Sequence, residues 1–286
     1  MLSLDHFESA FRAAARSQYT HKPLRLEHIL VVTDLPQDKA TRYAERAAPF
    51  FAVRGQQPVL TALGHEKTAD LGDLIEQVKE RRPDLIVTYR CLHSPAWRWP
   101  YTVGDHIEVL TQITDIPVLL LPRIDTGDAD RAPMQPPKVV MAMTDHLVGD
   151  EQLVRWAAGM CPPGAWLVMA HVEDEVVFNR YMDLIGKIPE IETTVAVREI
   201  RERLFKEVRE WIRHCREVLH ERLGEAAPRI EEAITLGHLL KTYRDLVIER
   251  EADLLVLNAK DDDQLAIHGM AYPLMIELRR IPLLLL

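Results

Sequence analysis

Ile29-Leu30-Val31-Val32-Thr33-Asp34 is an apolar run that ends on a hydroxyl and a carboxylate, and Val139-Val140-Met141-Ala142-Met143-Thr144-Asp145 repeats it in the second half of the chain. Short apolar runs bounded by polar residues read as strands buried on both faces. Three more blocks recur in the same order. Leu63-Gly64-His65 matches Leu236-Gly237-His238, Asp84-Leu85-Ile86-Val87 matches Asp253-Leu254-Leu255-Val256, and Ile116-Pro117-Val118-Leu119-Leu120-Leu121 matches Ile281-Pro282-Leu283-Leu284-Leu285-Leu286. Ordered self-similarity of this kind marks a duplicated unit and sets its boundaries.

Between the blocks, apolar residues recur with helical period over 39–53, 69–81, 103–112, 151–160, 239–250 and 272–279. Strands alternating with helices imply right-handed crossovers and a parallel sheet covered on both faces. The second half carries an additional strand over 165–172 and a long helix with apolar Val197, Ile200, Leu204, Val208, Trp211, Cys215 and Val218. The first half has neither. The sequence thus predicts α/β architecture in two tandem units of flavodoxin-like type, with four strands in the first sheet and five in the second. The units span 25–122 and 138–286, joined by a polar, proline-rich linker over 123–137. An amphipathic helix with Leu4, Phe7, Phe11 and Ala14 on one side is expected within 1–24. Two separate sheets are expected, with the Ile116 and Ile281 strands at the interface between units.

The 286 residues carry a net charge of −9, a field that repels nucleic acid and anionic lipid, and no dense Lys/Arg block reverses it. The basic residues of 198–222 alternate with glutamates, as on a solvated helix face. No apolar run reaches the length of a membrane span, and no basic flank with an apolar core opens the chain. A cytoplasmic protein is expected. Cys91, Cys161 and Cys215 follow no disulfide or metal spacing and are read as packed, reduced thiols.

Together the blocks resemble the universal stress protein family in its tandem, two-domain form, over 25–122 and 137–286. The resemblance rests on the strand-end Thr-Asp, His171-Val172 closing the second strand of the C-terminal unit, the Leu-Gly-His turn, Asp-Leu-Leu-Val, and the Ile-Pro-Leu-Leu strand. It implies two flavodoxin-like units, pairing between them within the chain, and further dimerisation. ATP-binding members carry Gly-x2-Gly-x9-Gly-Ser/Thr after the fourth strand, where glycines admit phosphates to backbone amides. Both halves depart from that pattern. In the first, only Gly104 survives and Asp105 replaces the hydroxyl; in the second, Gly269 is followed by Met270, and Asp261, Asp262 and Asp263 bring like charge to where a triphosphate would sit. With 12 glycines in all, no second phosphate loop is hidden elsewhere.

The resemblance implies a degenerate pocket in the first unit at Thr33, Asp34, Tyr89, Gly104 and Asp105. In the second it implies a candidate ligand site at Thr144, Asp145, His171, Val172, Asn258, Lys260, His268 and Gly269, with room for a nucleoside or nucleoside monophosphate. The competing reading has Asp145 capping a helix and His171 packed. No cofactor or metal is expected, since consecutive aspartates on one loop seldom converge on one ion. Neither a nucleophile elbow nor a His-Glu-x-x-His motif occurs. The function expected is that of a non-catalytic stress-response protein. A nucleotide-gated switch and a nucleotide hydrolase or transferase are the alternatives. The loop with Trp97, Arg98, Trp99 and Tyr101 has the makings of a protein-docking site, or else folds inward.

Overall fold

The structure is a computed structural model that describes residues 18–99, 101–123, 135–144, 147–188, 193–259 and 270–286. β1 (His28–Val32) lies between β2 (Val59–Leu63) and β3 (Leu85–Tyr89), and β4 (Val118–Leu121) extends β3, all in parallel. On the other side β5 (Val139–Thr144) lies between β6 (Trp166–Asp174) and β8 (Leu254–Leu257), with β7 (Arg229–Gly237) beyond β6 and β9 (Leu283–Leu285) beyond β8, again in parallel.

The expected four and five strands are present, but the expectation of two sheets is corrected. β4 and β9 pair antiparallel, with Val118 opposite Leu285 and Leu120 opposite Leu283, giving one nine-stranded sheet in the order β2-β1-β3-β4-β9-β8-β5-β6-β7. The cause is local. Both strands are leucine runs with every residue buried, and a buried strand edge must find partners for its backbone N–H and C=O groups. A second difference concerns β2, which precedes Leu63-Gly64-His65 and so matches β7 in sequence. It lies directly against β1, the position that β6 holds beside β5. With no intervening strand in this half, β2 moves inward to cover the edge of β1.

The repeated aspartates of the third block do one job twice. Asp84 Oδ2 accepts from the N–H groups of Glu27 and His28, at 2.7 and 2.9 Å. Asp253 Oδ2 accepts from those of Lys138 and Val139, at 2.8 and 3.0 Å. Each ties the start of a central strand to its neighbour.

The helices are α1 (Gln37–Phe51), the single turn α2 (His65–Thr68), α3 (Leu71–Arg81), α4 (Asp105–Ile113), α5 (Glu151–Met160), α6 (Glu175–Ile185), α7 (Thr193–Leu223), α8 (Leu239–Glu249) and α9 (Ala271–Glu277). Asp70, Asp150 and Asp174 cap α3, α5 and α6 by accepting from first-turn N–H groups. The long helix forms as expected, and among its described side chains the buried ones are Val208, Trp211, Ile212, Cys215 and Leu219, all in its second part. α6 was not anticipated from sequence, and its Val177, Tyr181 and Leu184 are exposed. Among the described residues no helix is long and apolar enough to cross a membrane.

Most of the expected N-terminal helix lies outside the described residues; 18–24 have no regular structure and pack on the second half. Tyr19 meets Trp211 edge-on at 6.2 Å. Leu24 lies so close to Gly159 that a Cβ there would fall 2.4 Å from the leucine's own, which accounts for a glycine inside α5. The halves are tied elsewhere by Arg54, which donates to the carbonyls of Ala226 (2.6 Å) and Ala158 (3.3 Å). Cys91, Cys161 and Cys215 are all buried without a disulfide, and burial pushes the Cys161 thiol up to about 12.

Candidate functional site

Parallel strands deliver their carboxyl ends to one edge of a sheet, where open α/β folds place ligands. In the first half that edge is occupied by the chain itself. Thr33, at the end of β1, donates to the Leu63 carbonyl at 3.1 Å, and its own carbonyl accepts from Thr68 Oγ1 at 2.8 Å. Asp34 takes the Tyr89 hydroxyl on one carboxylate oxygen and the His93 N–H on the other, the latter at 3.3 Å. The Asp34 N–H in turn donates to Tyr89 Oη at 3.0 Å. Tyr89 is 3% exposed and meets Tyr43 edge-on, and burial, then the bond to Asp34, raise its hydroxyl far above the usual range.

Gly104 holds φ +100, and a Cβ there would come within 3.2 Å of Cys91 Cα. The glycine is therefore required by close packing of its own loop. The loop N–H of Cys91 donates to Val103 at 2.8 Å, and Leu92 is fully buried. Asp105 begins α4.

Around this closed pocket stand three imidazoles, His65, His93 and His106, with successive ring centroids 5.0 Å apart. Thr68 Oγ1, whose proton goes to a carbonyl, lies 2.7 Å from His93 Nε2 and so accepts from it. Burial is the main cause that brings His93 down to about 4, with the His106 and His65 charges adding and Asp34 opposing. Among the described residues no group of His, Cys, Asp and Glu is placed to hold a metal ion.

In the second half Thr144, His171 and Asn258 stand side by side. Thr144 is opposite His171 across β5 and β6, and Asn258 directly follows β8, which flanks β5 on the other side. Asn258 Nδ2 donates to Asp150 Oδ2 at 2.6 Å, while Asp150 Oδ1 caps α5. His171 is 5% exposed, with Nε2 3.4 Å from Glu173 Oε2 and no partner for Nδ1. The Val172 N–H donates to Tyr243 Oη at 3.2 Å. Asp145, Lys260, His268 and Gly269 lie outside the described residues, as does the Trp97 side chain. Trp99 and Tyr101 are 55% and 77% exposed.

Sequence reasoning missed Asp150 and the histidine trio. It also missed Arg90, which is buried and donates from both terminal nitrogens to the carbonyls of Met275 and Leu278 at the end of α9, the latter at 2.7 Å. The signal available was the third block itself. Continued past its valine, it places Tyr89 opposite Asn258 and Arg90 opposite Ala259.

No family model matches the sequence, and no curated protein matches it. Among solved structures, one assigned to the universal stress proteins of Pseudomonas aeruginosa UCBPP-PA14 is similar over 100% of this chain and 89% of its own, at 13% identity and a TM-score of 0.50. A universal stress protein from Archaeoglobus fulgidus matches 91% of this chain and 85% of its own, at 13% identity and 0.41. A functionally unknown protein from Pseudomonas aeruginosa PAO1 matches 100% and 88%, at 13% identity and 0.48. The strand order, the strand-end site and the first of these likenesses agree: the described chain has the fold of the universal stress proteins.

Proposed function

We propose that this chain is a non-catalytic regulatory protein of the universal stress type. Its first half has given up nucleotide binding, and its second half holds a small ligand at Thr144, Asp145, His171, Val172, Asn258 and Gly269. The observation that carries the reading is the state of Asp34. Both of its carboxylate oxygens are taken by Tyr89 and His93, so a ligand entering there would have to displace bonds the fold already makes. The loop that follows buries Leu92 and packs Gly104 on Cys91, which leaves no backbone cradle for phosphates.

A second reading, an adenine-nucleotide switch seated in the second half, draws on Thr144, His171 and Asn258 at three adjacent strand ends and on the unpartnered Nδ1 of buried His171. Calorimetric titration of the full chain with ATP, AMP and adenosine, with and without magnesium, separates the two. Tight ATP binding that survives His171→Ala and is lost on Asp34→Ala overturns the proposal, and phosphate release from ATP overturns its non-catalytic part. Exposed Trp99 and Tyr101 suit the contact of a cytoplasmic homodimer. Unchanged elution of Trp99→Ala on size exclusion counts against that assignment.

A further inference from the structure

A cavity of about 100 Å³ opens where the two halves meet, bordering the loop that closes the first-half pocket. It is lined by Arg90, Arg123 and Arg279, with Cys91, Trp99 and Thr102 beside them. None of its described lining residues is acidic. Three arginines thus line one cavity in a chain of net charge −9, where Thr102 Oγ1 donates to Glu108 Oε1 at 2.7 Å and Arg279 Nε to the Ile276 carbonyl at 2.9 Å.

Arg90 is the key group. Tyr89 and Arg90 are consecutive at the end of a strand and so face opposite ways; Tyr89 turns to Asp34, and Arg90 turns across the seam to α9. Its two terminal nitrogens are bonded to Met275 and Leu278, but its Nε, buried in the same wall, has no hydrogen-bond partner. A buried cationic donor left unsatisfied asks for an acceptor. Burial brings this guanidinium down to about 10, with the neighbouring Arg279 charge acting in the same direction.

We propose that the seam cavity binds a compact oxyanion, inorganic phosphate or the phosphate of a phosphomonoester. Planar guanidiniums present paired donors that match phosphate oxygens, and the volume suits one phosphate group, not a chain of three. Arg90 and Arg123 come from one half, Arg279 and Met275 from the other, so the bound anion fastens the halves together. The proposal does not rest on the ligand site of the second half, and its failure would leave the function proposed above untouched.

The test is calorimetric titration of the full chain with inorganic phosphate, and in a second arm with glycerol 3-phosphate, both at low chloride. Saturable binding is expected, weakened at least tenfold by Arg279→Gln and by Arg123→Gln. Arg280→Gln, a neighbouring exposed arginine outside the cavity, leaves it unchanged. The thermal midpoint should rise with phosphate in the wild type and not in the two cavity variants. Tighter binding of phosphate marks the free ion as ligand; tighter binding of glycerol 3-phosphate marks a phosphomonoester. No saturable heat with either, equal loss on Arg280→Gln, or equal stabilisation by chloride at matched ionic strength overturns the proposal.

Discussion

Tyr89 at the end of β3 donates its hydroxyl to Asp34 just past the end of β1, so the first half closes its ligand edge with a bond between its two central strands. Tyr89→Phe removes that donor and leaves the edge contact with Tyr43 in place. A half-buried carboxylate losing a hydrogen bond costs about 1–3 kcal/mol. Urea unfolding should show a lower midpoint with an unchanged slope. An unchanged midpoint would mean that water replaces the hydroxyl without penalty.

His93 gives the molecule a pH dependence of definite sign. It is brought down to about 4, below its unfolded value, so between about 6.5 and 4 the unfolded chain binds more protons at this site than the folded one. Its contribution to stability is present above that window and is lost as the pH falls through it. Denaturation midpoints measured from pH 7 to pH 4 should fall less steeply in His93→Gln. A variant as steep as the wild type would assign the titration to other groups.

Arg90→Met should be among the most damaging single changes on the seam. The carbonyls of Met275 and Leu278 lose a charged donor, and hydrogen bonds to charged groups are worth about 1.5–3 kcal/mol each. Arg90→Lys is expected to fall between, because a point charge cannot hold both carbonyls as a fork does. Thermal melts of both variants check the order.

Asp84→Ala and Asp253→Ala are expected to cost similar amounts, about 1–2 kcal/mol each, since each aspartate accepts from two backbone N–H groups at the start of a central strand. They are far apart in the strand order, so the double variant should lose the sum. Chemical denaturation of the three variants measures it.

What could be read in advance follows from which residues act locally. The third-block aspartates and the apolar runs declared strands because each signal lies within a few residues of its effect. α6 buries Phe178 and Met182 but exposes Val176, Val177, Tyr181 and Leu184, so its apolar residues lie on both sides and blur the helical period. The position of β2 depends on which edges are left unpaired, a property of the assembled sheet, whereas β4 and β9 meet where the Ile116 and Ile281 strands were expected, at the interface between the units. At the site, resemblance located Thr33, Asp34, Thr144, His171 and Asn258 at strand ends. It could not show that Tyr89 and His93 turn inward onto Asp34, because that contact joins residues 55 and 59 positions apart.

β9, the final strand in chain order, lies at the centre of the sheet, between β4 and β8. While the polypeptide is being synthesised, the leucine-rich flank of β4 has no mate until Leu283–Leu285 emerge, and until then it is the surface through which nascent chains would stick to one another. Removing those three leucines would cut the middle out of the molecule, and premature stops shortly before them should yield aggregates in place of a half-sized soluble fragment.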